Sequence, residues 1–480
     1  MIYRKILFIR MWPATAWVGS VAPPVGIGYL MELLKQYGFE FKLIDMALGE
    51  GLPDIINTIN YFRPDIIGAS MLTYRYLSSY KILEQIKKKY PKIPIVSGGA
   101  HISTFREKAL YDCLAIDVGF IRDAEHTFLE FCKGEQLENI KMIIYRDKKG
   151  KVQFTREEEQ HGDLDSLPWP KYEALNLKRY ISKEILLLTS RGCPYSCIFC
   201  PVSLAIGRKL RARGAENVCD EIEYWYEKGY RRFAILDDNF TFYKERTIAI
   251  CKEIKRRKFR NIKLRCGNGI RADRIDEEVL VCMKEAGFIQ ISFGVESVSD
   301  KILKVLKKGE TVEQIEKAIK NAIKLGFDIV LFFLVGSPGE TKEDVDKYIN
   351  FCLRYPIFDV RFYNLIPYPG TELYDWVEEK KYFVQSPDIY LNNQSAFTEY
   401  PVFQTPEFTL EERRKALKKS KLITKMVRKK WLKNKFKNKG VIWQILYYFI
   451  IDIYINERFQ NLIRQNRVFR YLGEKLYFNL

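Results

Sequence analysis

Short apolar runs and longer amphipathic segments take turns along the first 140 residues. The runs at 5–9, 41–45, 66–70, 93–97 and 116–120 have the length of buried strands, whereas 26–37 and 80–89 carry apolar residues at helical spacing. Such alternation predicts a doubly wound α/β domain over residues 1–140, a parallel sheet with helices on both faces. Ligands of these sheets bind at the carboxyl ends of the strands. Those ends carry Gly68-Ala69-Ser70-Met71 and Ser97-Gly98-Gly99-Ala100-His101, small residues that let a large flat ligand approach the backbone. Paired glycines also make turns, and neither a Walker-type phosphate loop nor a GxGxxG fingerprint accompanies them.

A turn-rich stretch, Asp163-Leu164-Asp165-Ser166-Leu167-Pro168-Trp169-Pro170, closes a linker over 141–182. The alternation then resumes, with strand-like runs at 184–190, 233–236, 263–266, 290–293, 329–335 and 360–365. Six strand and helix units predict a partial (β/α)6 barrel, open on one side, over 183–385. From Leu410 the pattern becomes helical, with Leu422, Ile423, Met426, Val427 and Trp431 recurring at intervals of three and four. Residues 386–480 thus read as a basic, mostly helical C-terminal region.

Composition sharpens this picture in two places. The net charge of +19 is concentrated in 413–439, where fourteen of twenty-seven residues are Lys or Arg and none is acidic. This makes basicity a feature of the tail rather than of the core domains. Residues 441–455 are apolar and aromatic but, with Gln444 and Asp452, too short and too polar to span a bilayer comfortably. The stretch 413–455 therefore suits either a capping helix with a solvated face or a peripheral contact with anionic lipid. No RNA-binding module is evident, and nucleic acid is not expected as a partner. Residues 1–10 are too short for a secretion signal, so the expected location is the cytoplasm, with room for peripheral contact at the inner membrane face. Seven cysteines (Cys113, Cys132, Cys219, Cys251, Cys266, Cys282, Cys352) are scattered as in a reduced, cytosolic protein.

The other three cysteines are not scattered. Cys193, Cys197 and Cys200 fall in Arg191-Gly192-Cys193-Pro194-Tyr195-Ser196-Cys197-Ile198-Phe199-Cys200, on the loop after the first barrel strand. Three thiolates on one tight loop can hold three irons of a [4Fe-4S] cubane and leave the fourth open to a chelating small molecule. Behind them, polar or glycine-rich segments end the later strands: Asp237-Asp238-Asn239, Gly269-Ile270-Arg271-Ala272-Asp273, Gly294-Val295-Glu296-Ser297, Gly336-Ser337-Pro338-Gly339-Glu340 and Pro367-Tyr368-Pro369-Gly370-Thr371. Singly each would be a helix cap or a turn; in register behind the cysteine triplet they describe one site.

The triplet and its strand closely resemble the signature of radical S-adenosylmethionine (SAM) enzymes. That resemblance implies that SAM chelates the open iron through its amino and carboxylate groups and is cleaved to a hydrogen-abstracting 5'-deoxyadenosyl radical. It places Phe199 near the adenine, Asp238 at the SAM ammonium, Arg271 at the carboxylate and Glu296 at the ribose hydroxyls. The order of Pro23-Pro24-Val25-Gly26-Ile27-Gly28-Tyr29-Leu30, Arg63-Pro64-Asp65-Ile66-Ile67-Gly68 and Ser97-Gly98-Gly99-Ala100-His101 ahead of the cluster domain resembles the cobalamin-binding domain of one large radical SAM subfamily. Ser70, Gly98 and Gly99 would then line the cobalamin face, and the resemblance covers most of residues 1–380. Two departures stand out. None of His101, His126 and His161 lies in the first strand-to-helix loop, so no axial histidine is implied and His101 reads as a hydrogen-bonded loop residue. The segment usually read as Gly-Glu-Gly-Glu is here Arg122-Asp123-Ala124-Glu125, which keeps only the last acid.

The implied activity is C-methyl transfer to an unactivated carbon, with one SAM cleaved at the cluster and a second remethylating cobalamin. Two alternatives are a cobalamin radical SAM cyclase, oxygenase-like or rearranging enzyme acting on a lipid or tetrapyrrole, and a methylthiotransferase-like RNA modifier. The last carries a further three-cysteine site in its N-terminal domain, which Cys113 and Cys132 cannot supply. Expected partners are a small-molecule or lipid substrate and an electron donor such as flavodoxin or ferredoxin.

Overall fold

The structure, a computed structural model, describes residues 3–12, 22–157, 162–180 and 183–436; His161 and the apolar stretch 441–455 lie outside them. The first sheet is built from β1 (Lys5–Met11), β2 (Glu40–Asp45), β3 (Ile66–Met71), β4 (Ile95–Gly98), β5 (Val118–Phe120), β6 (Ile143–Arg146) and β7 (Val152–Phe154), in the order β2-β1-β3-β4-β5-β6-β7. Strands β1 to β5 pair in parallel. Successive residues of β1 enter opposite cores: Ile6 and Phe8 pack with Val96 and Val118, while Leu7, Ile9 and Met11 pack with Ile67 and Ile95. Burial on both faces is why these strands read as continuous apolar runs. The order reverses between β1 and β3, and the crevice at that reversal is where doubly wound sheets take their ligands.

The sheet does not stop at residue 140. Strands β6 and β7 lie within the span assigned to the linker and extend the sheet antiparallel. Their hairpin turns on Asp147, whose Oδ1 accepts from the amides of Lys149 and Lys151 at 2.9 Å, and on Gly150 at φ +79°. An Asp and a Gly between two β-prone runs carried that signal.

The second sheet contains β8 (Glu184–Leu187), β11 (Arg232–Ile235), β12 (Lys263–Ile270), β13 (Phe288–Glu296), β14 (Asp328–Val335) and β15 (Asp359–Asn364). Between β8 and β11 lies a short antiparallel ribbon of β9 (Ser190–Arg191) and β10 (Arg211–Ala212). The six strands are parallel, in the order β15-β14-β13-β12-β11-β8, with β8 and β15 at unpaired edges, as a partial barrel requires. Strand β12 outlasts its apolar run, because Gly267, Asn268 and Gly269 continue it through a register shift.

Helix Leu410–Phe436 covers the β15 edge. Leu417, Ile423 and Val427 enter the barrel core, and the Thr424 hydroxyl donates to the Val360 carbonyl at 3.1 Å. Arg428 donates to both oxygens of Asp359, at 2.7 and 2.9 Å, and Trp431 Nε1 donates to Asp328 at 3.1 Å. At the other end Arg413 is fully buried, donating to the carbonyls of Phe408 and Phe403 at 3.0 and 3.2 Å. Much of the basic run is therefore a cap on an open sheet edge. Asp359 is 4% exposed, so Arg428→Ala strips a buried carboxylate of its bidentate partner, with the Val360 amide at 3.0 Å and Arg361 at 3.6 Å still facing it. This variant is expected to lose about 2 kcal/mol in urea unfolding, and Arg428→Ala combined with Asp359→Asn less than the sum of the single losses.

Candidate active site

The loop that carries the three cysteines is fixed before it begins. Asp237, 2% exposed at the end of β11, accepts from the Thr189 amide at 2.6 Å, the Thr189 hydroxyl at 2.5 Å and the Ser190 hydroxyl at 2.6 Å. Gly192 follows at φ +93°, and a Cβ there would fall 2.4 Å from the Lys209 carbonyl, so no other residue fits. The Cys193 amide donates to the Gly207 carbonyl at 3.2 Å, and that of Cys200 closes a turn on Cys197 at 3.1 Å. Backbone bonds from Ile198 to Leu306 and from Leu373 to Ile198 stitch the loop to later parts of the barrel rim.

Cys193, Cys197 and Cys200 are half-buried, whereas six of the other seven cysteines are buried. Among the described residues no three metal-ligating side chains converge as they would on a single ion. Thiolates of a cubane each bind a different iron, so they need not converge. Burial pushes all three thiols up, Cys200 to about 12, and only a polycationic centre would hold them ionised.

The strand ends gather around this loop. Asp238 is pushed up to about 6 by burial and by the neighbouring Asp237, against the pull of the Gly192 amide. A carboxylate so placed suits a cation. Asn239 beside it is 1% exposed, and neither polar atom of its amide has a partner. These two residues fit an ammonium-bearing ligand. Phe199 is half-buried and packs on the apolar cluster that contains Ile302 and Leu306.

Arg271, which the resemblance sets at the SAM carboxylate, is engaged within the protein. Its guanidinium donates to Asp273 at 2.8 and 3.0 Å, to the Gly309 carbonyl at 3.1 Å and to the Lys308 carbonyl, and lies 3.7 Å over the Tyr195 ring. All of this braces the cysteine loop. A second buried cation is Lys308, with Nζ 3.1 Å from Glu296 Oε1 and 3.4 Å from Glu310 Oε2. Its charge and that of Arg271 pull the Cys197 thiol down against burial. Glu296, at φ +61°, thus has one oxygen committed to Lys308, which leaves its expected ribose role resting on the other. Lys308 went unread in the sequence because Lys307-Lys308-Gly309 looks like a solvated turn.

In the first domain Ser70 is half-buried at the end of β3. Gly99 has φ +97°, and a Cβ there would fall 2.6 Å from the Met71 carbonyl, whereas one on Gly98 would meet Phe120 only at an ordinary 3.7 Å. Packing of β3 on β4 therefore dictates Gly99, while Gly98 at the end of β4 has room for a side chain. His101 is fully buried, with Nε2 2.6 Å from the Tyr80 hydroxyl and its ring stacked on Tyr76, and burial pushes it down to about 3. It is a neutral core histidine turned away from any axial role. Helix Ala100–Phe105, which follows Gly99, touches helix Val202–Ala205, which follows Cys200, so the two rims abut.

The join between the rims is ionic. Pairing of Arg191 with Arg211 across the β9–β10 ribbon sets two guanidinium groups side by side. Arg191 reaches Glu125 at 2.8 Å and Asp123 at 3.2 Å, Arg211 reaches Asp123, and Arg191 stacks 4.7 Å over the Tyr29 ring. Burial pushes the Asp123 carboxyl up, and the two guanidinium groups more than reverse that push. The segment Arg122-Asp123-Ala124-Glu125, legible in sequence only as a departure from a pattern, is the clasp on the loop that begins at Cys193, two residues after Arg191. Glu125→Ala is expected to lower the iron retained per chain after anaerobic reconstitution and to destabilise the protein by about 3 kcal/mol. Glu125→Gln is expected to fall between that variant and the parent.

Comparison with known proteins follows the same division. The family model of the radical SAM superfamily matches residues 187–352, and that of the B12 binding domain matches residues 11–131. An uncharacterized methyltransferase of Pyrococcus horikoshii is 31% identical over 435 residues, spanning 88% of this chain and 92% of the relative. The cytidylyl-2-hydroxyethylphosphonate methyltransferase of Streptomyces wedmorensis is 28% identical over 438 residues, spanning 77% of this chain and 81% of that protein. The structure of the radical SAM methyltransferase TsrM from Kitasatospora setae, with tryptophan and a SAM analogue bound, shares the fold at a TM-score of 0.67 and 20% identity, over 80% of this chain and 77% of that one.

Proposed function

The chain belongs to the radical SAM superfamily, in the branch that carries a B12-binding domain, and from that premise we propose that it transfers a methyl group to an unactivated carbon of a small-molecule or lipid substrate. The observation that carries this reading is the abutment of the cysteine loop and the Gly98 rim across the Asp123 and Glu125 clasp. When bound, the [4Fe-4S] cluster and cobalamin supply reductive cleavage of SAM to a 5'-deoxyadenosyl radical and a transferable methyl group. The protein's own part is placement. Cys193, Cys197 and Cys200 hold the cluster and leave one iron for SAM. Asp238 and Asn239 receive the SAM ammonium, Glu296 offers its second oxygen to the ribose, and Phe199 supports the adenine. Lys308 sets a positive charge beside Cys197, which favours the reduced, more negative cluster.

The methyltransferase names of both relatives support this reading, while two anaerobic magnesium-protoporphyrin IX monomethyl ester cyclases, 26% and 24% identical, keep ring closure as the second reading. We assign the electron supply to a flavodoxin or a ferredoxin, and the location to the cytoplasm or the inner face of its membrane. Among the described residues no helix is long and apolar enough to cross a membrane.

The reading can be tested before the substrate is known. Reconstituted anaerobically with iron, sulfide, cobalamin, SAM and a reductant, the protein is expected to form both 5'-deoxyadenosine and S-adenosylhomocysteine. The Cys193→Ala, Cys197→Ala and Cys200→Ala variants are expected to lose iron and deoxyadenosine formation. Deoxyadenosine without S-adenosylhomocysteine would exclude methyl transfer.

A further inference from the structure

Helix Leu410–Phe436 has a second face that the barrel does not use. Leu422 is 59% exposed and Met426 48% exposed, one turn apart. Lys418 and Lys433 are exposed at the positions that continue this stripe along the helix, and Lys425 is half-exposed beside it. The carboxylates that reach the helix do so elsewhere, with Asp346 on Lys419, Glu399 on Lys421, Asp359 on Arg428 and Asp328 on Lys435. The outer stripe is thus cationic with an apolar centre, in a run that holds fourteen basic residues and no acid.

We propose that this stripe docks the enzyme on an anionic phospholipid surface, with Leu422 and Met426 entering the headgroup layer and the lysines meeting phosphates. An RNA strand would satisfy the lysines but would give the two aliphatic side chains nothing to do. Stacking on bases needs aromatic faces, and the one aromatic residue of the described helix outside its last position, Trp431, is turned inward onto Phe358 and Asp328. The helix starts at the barrel's carboxyl rim, where buried Arg413 packs against Gly336, and runs down the outside of β15. Docking along it therefore lays the β15 edge of the barrel on the bilayer. The surface contact stands independently of methyl transfer.

Flotation of the full chain with vesicles of phosphatidylcholine alone, or of phosphatidylcholine with phosphatidylglycerol, tests the proposal. Binding is expected only with phosphatidylglycerol and should fall as salt is raised. The combination Lys418→Glu, Lys425→Glu and Lys433→Glu is expected to weaken it roughly a hundredfold. Leu422→Asp with Met426→Asp should weaken it as well, and both sets should leave thermal unfolding and deoxyadenosine formation in solution unchanged. Equal binding to both vesicle types, retention of phosphatidylglycerol binding by both sets of variants, or a salt-sensitive shift with RNA and none with vesicles would each overturn the proposal. Loss of S-adenosylhomocysteine formation in the parent protein would instead overturn the methyl-transfer reading and leave this one standing.

Discussion

Two arginines on a two-stranded ribbon, held by two carboxylates of another domain, decide where everything else can be. Arg191 and Arg211 are side by side because β9 and β10 pair them, and they are buried because Asp123 and Glu125 face them. Four charges so enclosed stabilise only as a set, since removing any one leaves another buried and uncompensated. The geometry follows from that requirement. The ribbon cannot leave the first domain without exposing its own unpaired charge, so the cysteine loop that grows from it is held against the end of the doubly wound sheet.

A second layer of charge lies on the far side of the loop. Arg271 grips Asp273 and two carbonyls and covers Tyr195, while Lys308 sits between Glu296 and Glu310. Glu310 in turn accepts the Ala272 and Asp273 amides at 2.5 and 3.2 Å, tying the ends of β12 and β13 into one network. Arg191 and Arg211 on the ribbon and Arg271 over Tyr195 thus bring cations to the loop, while burial and the neighbouring Asp237 push the Asp238 carboxyl up. That asymmetry suits a site meant to receive a zwitterionic sulfonium ligand beside an anionic thiolate cluster.

The elements of both sheets were legible because parallel strands buried on both faces leave unbroken apolar runs between amphipathic helices. All six barrel strands and five strands of the first sheet could be placed from that pattern, and the cysteine spacing located the site. The hairpin of β6 and β7 was missed because its runs are short and hide among charges, although Asp147 and Gly150 marked its turn. Individual contacts were less legible for a different reason. Whether Arg271 meets a ligand or its own neighbours depends on residues 273, 308 and 309, which no local pattern links to it. The role of Asp123 was equally hidden, since its partners lie 68 and 88 residues away in sequence. The hydrogen bond expected of His101 is present, to Tyr80, but the residue lies fully buried in helix Ala100–Phe105 rather than in a loop.

The central claim is that three thiolates hold a cluster with one iron left for SAM. Electron paramagnetic resonance of the reduced, anaerobically reconstituted protein, recorded with and without SAM, addresses it most directly. A [4Fe-4S] signal whose g-values shift when SAM is added is the expected result. Bound zinc in place of iron, or a cubane signal indifferent to SAM, would contradict it.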